Sequence, residues 1–422
     1  MRHTRHILSY SGGKDSTAMY LLALELAERH GFDFTPVFAD TGNEHEATLD
    51  YVRDLPRRTG GPEIRWVKAD FAEDFERKRR FIAAKWPGDL VKDVPGRWEV
   101  RPEFILQDGD NETVVAECVP DEAPPEPADP YRPMLSTFYQ WVPARRGLSP
   151  EEAAIRVDRA LAALHPTGNP FLDLCMLKGR FPSTKARFCS EELKHHPVFY
   201  QVQEPLLEAG HRVLSWQGVR AEESASRAKL RRFEHVGGGL WNWRPIFRWT
   251  AETVFAMHRR HDVPPNPLYT LGMGRVGCMP CIHARKDEIW EIARRFPEHI
   301  DRIEAWEMAV GMCAKRQGIG SFFAADKTAN HDKTKPIPGI RDVVAWASTG
   351  RGGAAVRSAE ERRRHSPVLV HLRPVRMRPA MDSPFLDRTR WLDENDFAAI
   401  IDQPPPYTVS PGHCLVVPKR AV

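Results

Sequence analysis

No apolar run in the 422 residues approaches the roughly 18–20 that a membrane-spanning helix needs, so no membrane partner is expected. The first residues lack the apolar core of a secretory signal, and a cytoplasmic location is the expectation. Charge of one sign is also scarce. Lys and Arg number 61 against 57 Asp and Glu, a formal balance of +4, so the molecule as a whole carries no strong demand for nucleic acid. Cysteines number only seven: Cys118, Cys175, Cys189, Cys278, Cys281, Cys313 and Cys414. A small, odd count in a long chain argues against a disulfide framework and turns attention to metal ligation or thiol chemistry. No internal repeat is visible, which excludes a solenoid.

What is present begins with Leu8-Ser9-Tyr10-Ser11-Gly12-Gly13-Lys14-Asp15-Ser16. A short apolar run precedes it, and Met19, Leu21, Leu22, Leu24 and Leu26 follow with helical recurrence. Strand, glycine turn and helix in that order make an anion site, because consecutive N–H groups point inward at a helix N-terminus. Lys14 adds a positive charge, and Ser9, Ser11 and Ser16 add hydroxyls. The guest such a turn suits is a phosphate, pyrophosphate or sulfate. It is not a Walker A loop, which needs four residues between its first glycine and Gly-Lys-Ser/Thr.

Residues 5–70 read as βαβαβ: strands at 5–10, 34–39 and 64–68, helices at 15–30 and 44–57. That alternation predicts a doubly wound parallel sheet of Rossmann-like α/β type, with ligands beyond the strand C-termini. Ser11–Ser16 and Asp40-Thr41-Gly42 both fall at that edge. Residues 71–86 are basic and amphipathic. Residues 106–130 carry eight Asp or Glu, no Lys or Arg, and prolines at 120, 124, 125, 127 and 130, the pattern of a mobile, solvated insertion. Behind it Tyr131, Phe138, Tyr139 and Trp141 offer an aromatic cluster. Helices are expected at 149–165, 190–209, 250–262, 286–295 and 298–315, with a strand at 212–216. The run 316–348 reads as irregular. Residues 350–380 hold eight Arg against two Glu, and the final forty are Pro-rich.

Three further segments carry chemistry. Gly218-Val219-Arg220-Ala221-Glu222-Glu223-Ser224-Ala225-Ser226-Arg227 closes a strand and supplies two guanidinium groups suited to bidentate anion contacts. Cys278-x-x-Cys281 fits a zinc half-site, a redox pair or part of a cluster. Cys189 opens Cys-Ser-Glu-Glu-Leu-Lys194-His-His-Pro.

Together these residues resemble the phosphoadenylyl-sulfate (PAPS) reductase-like family of the PP-loop ATP-pyrophosphatase (adenine nucleotide alpha hydrolase-like) superfamily. Ser11–Ser16 is similar to its PP-loop, the Gly218–Arg227 stretch to its Gly-Val-Arg-x-x-Glu-Ser-x-x-Arg, Cys189–Pro197 to its Cys…Lys-x-x-Pro, and Trp243–Thr250 to its Pro-Ile/Leu-x-x-Trp-Thr. Pro264–Tyr269 and the Cys-x-x-Cys complete the order over about 5–315. The resemblance implies a PP-loop α/β domain at 1–86 and 151–320 with a helical, Cys-bearing C-terminal part, an acidic insertion at 87–150 and an Arg/Pro-rich extension at 321–422. It implies an adenine nucleotide, ATP or PAPS/APS with Mg2+ as a companion, held by Ser9, Ser11, Gly12, Gly13, Lys14, Asp15, Ser16, Asp40, Thr41, Gly42, Gly218, Arg220, Glu223, Ser224 and Arg227. Lys14, Asp15 and Arg220 are the expected catalytic groups.

Cluster-bearing members of the family place two adjacent cysteines where this chain has Cys189-Ser190, and Cys175 is the expected replacement. Cys175, Cys189, Cys278 and Cys281 would then hold a [4Fe–4S] cluster, toward which the resemblance leans, or a zinc ion. The family's C-terminal Glu-Cys-Gly-x-His is not matched by Gly412-His413-Cys414-Leu415. Two reactions follow: reduction of a sulfonucleotide to sulfite with a thiol or electron-donor protein, or ATP-dependent adenylation of a nucleic-acid or small-molecule acceptor with sulfur transfer. The rival class is a non-catalytic nucleotide-binding or nucleic-acid-interacting module of a mobile-element or defence system, using the Arg-rich 350–378 segment.

Overall fold

The computed structural model describes residues 3–101, 104–107, 113–184, 186–315, 320–323 and 338–350. The Arg-rich and Pro-rich residues beyond 350, with Cys414, lie outside the described residues.

The chain opens as β1 (Thr4–Tyr10), α1 (Lys14–His30), β2 (Phe34–Asp40), α2 (Glu46–Thr59) and β3 (Arg65–Lys68). After α3 (Ala72–Leu90) come four short strands, β4 (Arg97–Val100), β5 (Ile105–Gln107), β6 (Thr113–Val115) and β7 (Tyr139–Val142). Helices α4 (Pro150–Ala163) and α5 (Pro170–Lys178) follow. A helical run from Phe188 to Glu208, here α6, winds as π-helix at Glu191–His195 and Phe199–Gln203. Then come β8 (Arg212–Trp216), β9 (Phe233–Gly237), β10 (Leu240–Trp243), α7 (Ala251–Arg260), α8 (Lys286–Arg295), α9 (Pro297–Met312) and α10 (Ile340–Ala347).

Six strands form the central sheet in the order β3-β2-β1-β8-β10-β9. All pairings are parallel except β9 with β10, so the expected doubly wound sheet is present with one antiparallel edge strand. The chain moves outward from β1 through β2 to β3 and later returns on the other side of β1 with β8. That reversal opens a crevice at the C-terminal ends of β1 and β8.

Side-chain alternation along the strands sorts the core. Leu8, Phe34, Phe38, Leu214, Trp216 and Trp243 pack on α1 and α7, whereas Ile7, Val37, Val67, Val213 and Leu240 face Val198, Val202 and Leu206 of α6. Beyond the sheet, α3, α4, α5, α8, α9 and α10 share a second apolar core that includes Phe171, Cys175, Ile303 and Phe322.

Sequence patterning and structure part company in three places. Helix α5 is buried almost throughout, so it shows no polar face for periodicity to detect; Asn169 caps it, accepting from Leu172 N at 3.0 Å. Strands β9 and β10 join at Gly237-Gly238-Gly239, all with positive φ, forming a hairpin between 233 and 243 where no strands are expected from the sequence. The third is α10, in a stretch that reads as irregular. Its β-branched content gives it weak intrinsic helicity, and packing on α8 and α9 supplies the difference.

The acidic insertion is solvated over much of 117–135 but anchored at its prolines. Proline carbonyls serve as acceptors: Trp98 Nε1 donates to Pro125 O at 3.3 Å, Trp141 Nε1 to Pro130 O at 2.9 Å, and the Tyr139 hydroxyl to Pro120 O. Trp98 meets Trp141 edge-on, and Phe104 meets Phe138.

Glu307, 2% exposed within α9, ties down the segment after that helix. Its carboxylate accepts from Phe322 N at 2.7 Å and from Ile340 N, the start of α10, at 2.8 Å. Burial pushes its pKa up to about 7. The folded protein therefore holds a proton that the unfolded chain releases, so this group's stability contribution is full below about 4.5 and is lost as pH rises through about 7. Glu307→Gln is expected to flatten the fall in melting temperature between pH 5 and 7.5. It should also lower stability by about 1–3 kcal/mol by presenting an amide N–H to a backbone N–H. Thermal melts across that pH range check both outcomes.

Candidate active site

The loop between β1 and α1 is the centre of the crevice. Gly12 has φ +71°, and a Cβ there would come within 2.9 Å of Thr48 Cγ2. Ser16 folds back: its hydroxyl donates to Gly13 O at 3.0 Å and accepts from Ser11 N at 3.2 Å. The Ser11 hydroxyl lies 3.1 Å from it. The start of α1 offers N–H groups without intrahelical acceptors. Gly218, at the end of β8, abuts this turn; a Cβ on it would lie 3.5 Å from Ser16 N.

Three side chains support the loop from the segment around and after α7. Asn266 Nδ2 donates to Gly12 O at 3.2 Å, Lys14 N donates to the Tyr269 hydroxyl at 3.1 Å, and His258 Nε2 lies 2.9 Å from Lys14 O. Asn266 and Tyr269 fall in the Pro264–Tyr269 segment that the resemblance includes, without a role there, and His258 lies outside every motif because a single His has no diagnostic spacing.

The charges converge on Asp15. Its carboxylate pairs with Lys14 Nζ at 2.5 Å and with Arg220 Nε at 2.5 Å. Arg220 is 4% exposed and also contacts Glu222 and Trp249 O. Glu223 accepts from Arg220 N at 3.0 Å and pairs with Arg227, while Ser224 caps the turn that carries Arg227. Lys14, Asp15 and Arg220 thus form one contact group, and Arg227 stands one residue further out. Ser9 lies within β1, on the sheet face of Ile7.

At the end of β2, Asp40 Oδ1 accepts from Gly42 N at 2.9 Å. Gly42 has φ +75° and is pressed against Asn169, whose Nδ2 donates to its carbonyl at 2.6 Å. Thr41 is 1% exposed and points inward: its hydroxyl donates to Glu44 Oε1 at 2.7 Å and lies 3.6 Å from Cys278 Sγ. Cys278 Sγ is 3.8 Å from Glu44 Oε1.

Of the four expected thiols, Cys175 is within electrostatic reach of Cys189, Cys189 of Cys281, and Cys281 of Cys278. The Lys194 ammonium sits among Cys278, Cys281, Cys189 and the Glu44 carboxyl, and these neighbours hold its pKa above the usual lysine value. Burial pushes the Cys278 thiol up to about 12 and raises the Glu44 carboxyl. Lys194 belongs to the π-helical winding of α6, which follows directly on Cys189. Cys118 is exposed and Cys313 is buried near Lys78, apart from this group.

A second cluster, His45, Glu46 and His299, brings three ligand-type atoms together. Its imidazoles are stacked at 5.0 Å and 9°. His45 Nδ1 already accepts from Ala47 N at 3.0 Å as the cap of α2. The cluster is a helix cap packed on α9.

The phosphoadenosine phosphosulfate reductase domain family matches residues 5–99 and 184–284, which include the loop, the Asp40 turn, Cys189, Arg220 and the Cys-x-x-Cys. The chain belongs to the PAPS reductase-like family of PP-loop proteins. Residues 100–183, with most of the insertion and Cys175, fall outside the match. An uncharacterised 37.8 kDa protein of Escherichia phage 186 is 44% identical over 360 residues, covering 83% of this chain and 90% of that one. The adenosine 5'-phosphosulfate reductase of Allochromatium vinosum is 40% identical over 83 residues, 19% of this chain and 32% of the reductase. That of Neisseria meningitidis serogroup B is 35% identical over 107 residues, 24% and 44% of the respective chains. The chain thus spans less than half the length of these reductases.

Two substitutions probe the PP-loop. Gly12→Ala forces a left-handed residue and a clash with Thr48, and is expected to cost at least about 1–2 kcal/mol in a denaturant melt and to weaken nucleotide binding. Tyr269→Phe removes the acceptor for Lys14 N and should cost about 1 kcal/mol by the same measurement.

Proposed function

We propose that the chain binds ATP at the PP-loop, cleaves it between the α and β phosphates to adenylate an acceptor, and supports sulfur transfer to that acceptor. The observation that carries the reading is the placement of a thiol against the turn after β2, on the strand next to the one that ends in the PP-loop. Thr41 and Glu44, in the turn after β2, touch Cys278 at 3.6 and 3.8 Å.

In this reading the phosphates lie on the N–H groups of Gly12–Ser16, with the Ser11 and Ser16 hydroxyls beside them. Lys14 and Arg220 offset the charge that develops on leaving pyrophosphate, the kind of preorganised stabilisation worth about 10²–10³ per donor in rate. Asp15, which pairs with both cations, orients them and is the carboxylate available to a Mg2+ that accompanies ATP. Asp40 and Gly42 border the nucleoside end, and Arg227 with Glu223 and Ser224 borders the outer rim. The acceptor oxygen attacks the α-phosphorus, pyrophosphate departs, and a persulfide or sulfide donor then displaces AMP.

The resemblance to cluster-bearing members of the family leans toward a [4Fe–4S] cluster over zinc at the thiol set. Tetrahedral Zn–S bonds of about 2.3 Å put the sulfurs about 3.8 Å apart. Among the described residues, no three cysteine sulfurs lie within 4.8 Å of one another. Cys175, Cys189, Cys278 and Cys281 would hold the cluster, and the Lys194 ammonium would offset its negative charge. When bound, it supplies redox chemistry and an anchor for sulfur at the mouth of the nucleotide site. Sulfonucleotide reduction is the less favoured reaction, because Gly412-His413-Cys414-Leu415 departs from the family's Glu-Cys-Gly-x-His.

Anaerobically purified protein is expected to contain iron and sulfide with little zinc, and to release AMP and pyrophosphate from labelled ATP. Lys14→Ala should lower that release at least about a hundredfold. Sulfite from phosphoadenylyl sulfate would move the assignment to reduction, neither product from cluster-loaded protein would defeat both, and abundant zinc without iron would overturn the cluster.

A further inference from the structure

We propose that Asn43 is the positioning residue that sets Cys278 and Cys281 against the nucleotide end of the crevice, with Arg302 of α9 as its partner. This deepens the reading of the thiol group as the sulfur centre and names what holds its Cys-x-x-Cys half in place.

The argument is an accounting of backbone groups. Between the two cysteines lie Met279 and Pro280, which together offer one N–H and two carbonyls. Asn43 and Arg302 take all three. Met279 N donates to Asn43 O at 2.7 Å, Asn43 Nδ2 donates to Pro280 O at 3.0 Å, and an Arg302 guanidinium nitrogen donates to Met279 O at 2.8 Å. The same guanidinium nitrogen donates to Asn43 Oδ1 at 3.1 Å, closing the set.

Asn43 is 0% exposed, so loss of its amide leaves Pro280 O without its donor and takes one acceptor from the Arg302 guanidinium, with no water to replace them; Met279 N keeps the Asn43 carbonyl, and Met279 O keeps Arg302 and His299 Nδ1 at 3.2 Å. The amide is needed as such: it donates to one carbonyl and accepts from a guanidinium, which neither a carboxylate nor an apolar side chain can do together. Asn43 is in turn fixed to the nucleotide edge. Its N–H donates to Thr41 Oγ1 at 3.3 Å, and its neighbour Glu44 forms a β-bridge with Cys278. The turn that follows β2 and the thiol loop are therefore one hydrogen-bonded unit.

Asn43→Asp tests this with almost no change of shape. In the metal-free full-length chain, iodoacetamide should alkylate Cys278 and Cys281 at least about tenfold faster than in the parent, read by peptide-resolved mass spectrometry. Cys175 and Cys313 serve as internal references and should keep their rates, which a general loss of stability would not allow. After anaerobic iron and sulfide reconstitution, the variant should lose iron to a chelator correspondingly faster. If Asn43→Asp does not fold, Arg302→Met, which removes two of the same contacts from a partly exposed residue, carries the same expectation. Equal Cys278 and Cys281 rates relative to Cys175 in a folded variant would overturn the proposal. A parent chain that takes up no iron would instead remove the cluster reading, and the alkylation comparison would still decide this one.

Discussion

Two segments 237 residues apart, the turn after β2 and the Cys278–Cys281 loop, are held together by main-chain and amide hydrogen bonds. Much of the site depends on that pairing. The turn can only be where β2 ends, at the C-terminal edge of the sheet, and the PP-loop ends β1 on the next strand over. The thiol loop bonded to that turn therefore lies at the same sheet edge as the PP-loop.

Much of this was readable in the residues. The PP-loop, the βαβαβ order and the Gly218–Arg227 edge announce themselves through short-range patterns, and short-range patterns are what a chain displays openly. Gly12 is legible because only glycine sits easily at its φ. Asn266, Tyr269 and His258 are not, because their roles arise from contacts across some 244–255 residues, which leave no local periodicity. Helix α5 stayed hidden for the opposite reason: burial on all sides erases the polar stripe that marks a surface helix. Helix α10 was masked by residues whose own preference is not helical, and Glu307 together with the α8–α9 surface overrides that preference.

The reach of the family also has a physical outline. The matched residues supply the sheet, the anion turn and three of the four thiols, whereas Cys175 comes from α5, within the stretch that the family does not cover. The phage relative, by contrast, is matched over most of its length. The chain therefore couples the family's nucleotide-binding frame to a helical layer that lies largely outside the family match. Helices α4, α5 and α9 of that layer lie outside the matched residues, and Cys175 is buried within its core.

The pairing of Asp15 with both Lys14 and Arg220 means that the crevice is not an open electropositive hole. One carboxylate already shields the two cations. An incoming ligand must displace that internal anion or share the cations with it, so binding is an exchange of partners. A singly charged anion such as chloride gains little from the exchange, while a polyphosphate brings enough charge to win it. In the proposed reading, an acid that the loop carries within itself favours multiply charged ligands before any contact with the base or sugar.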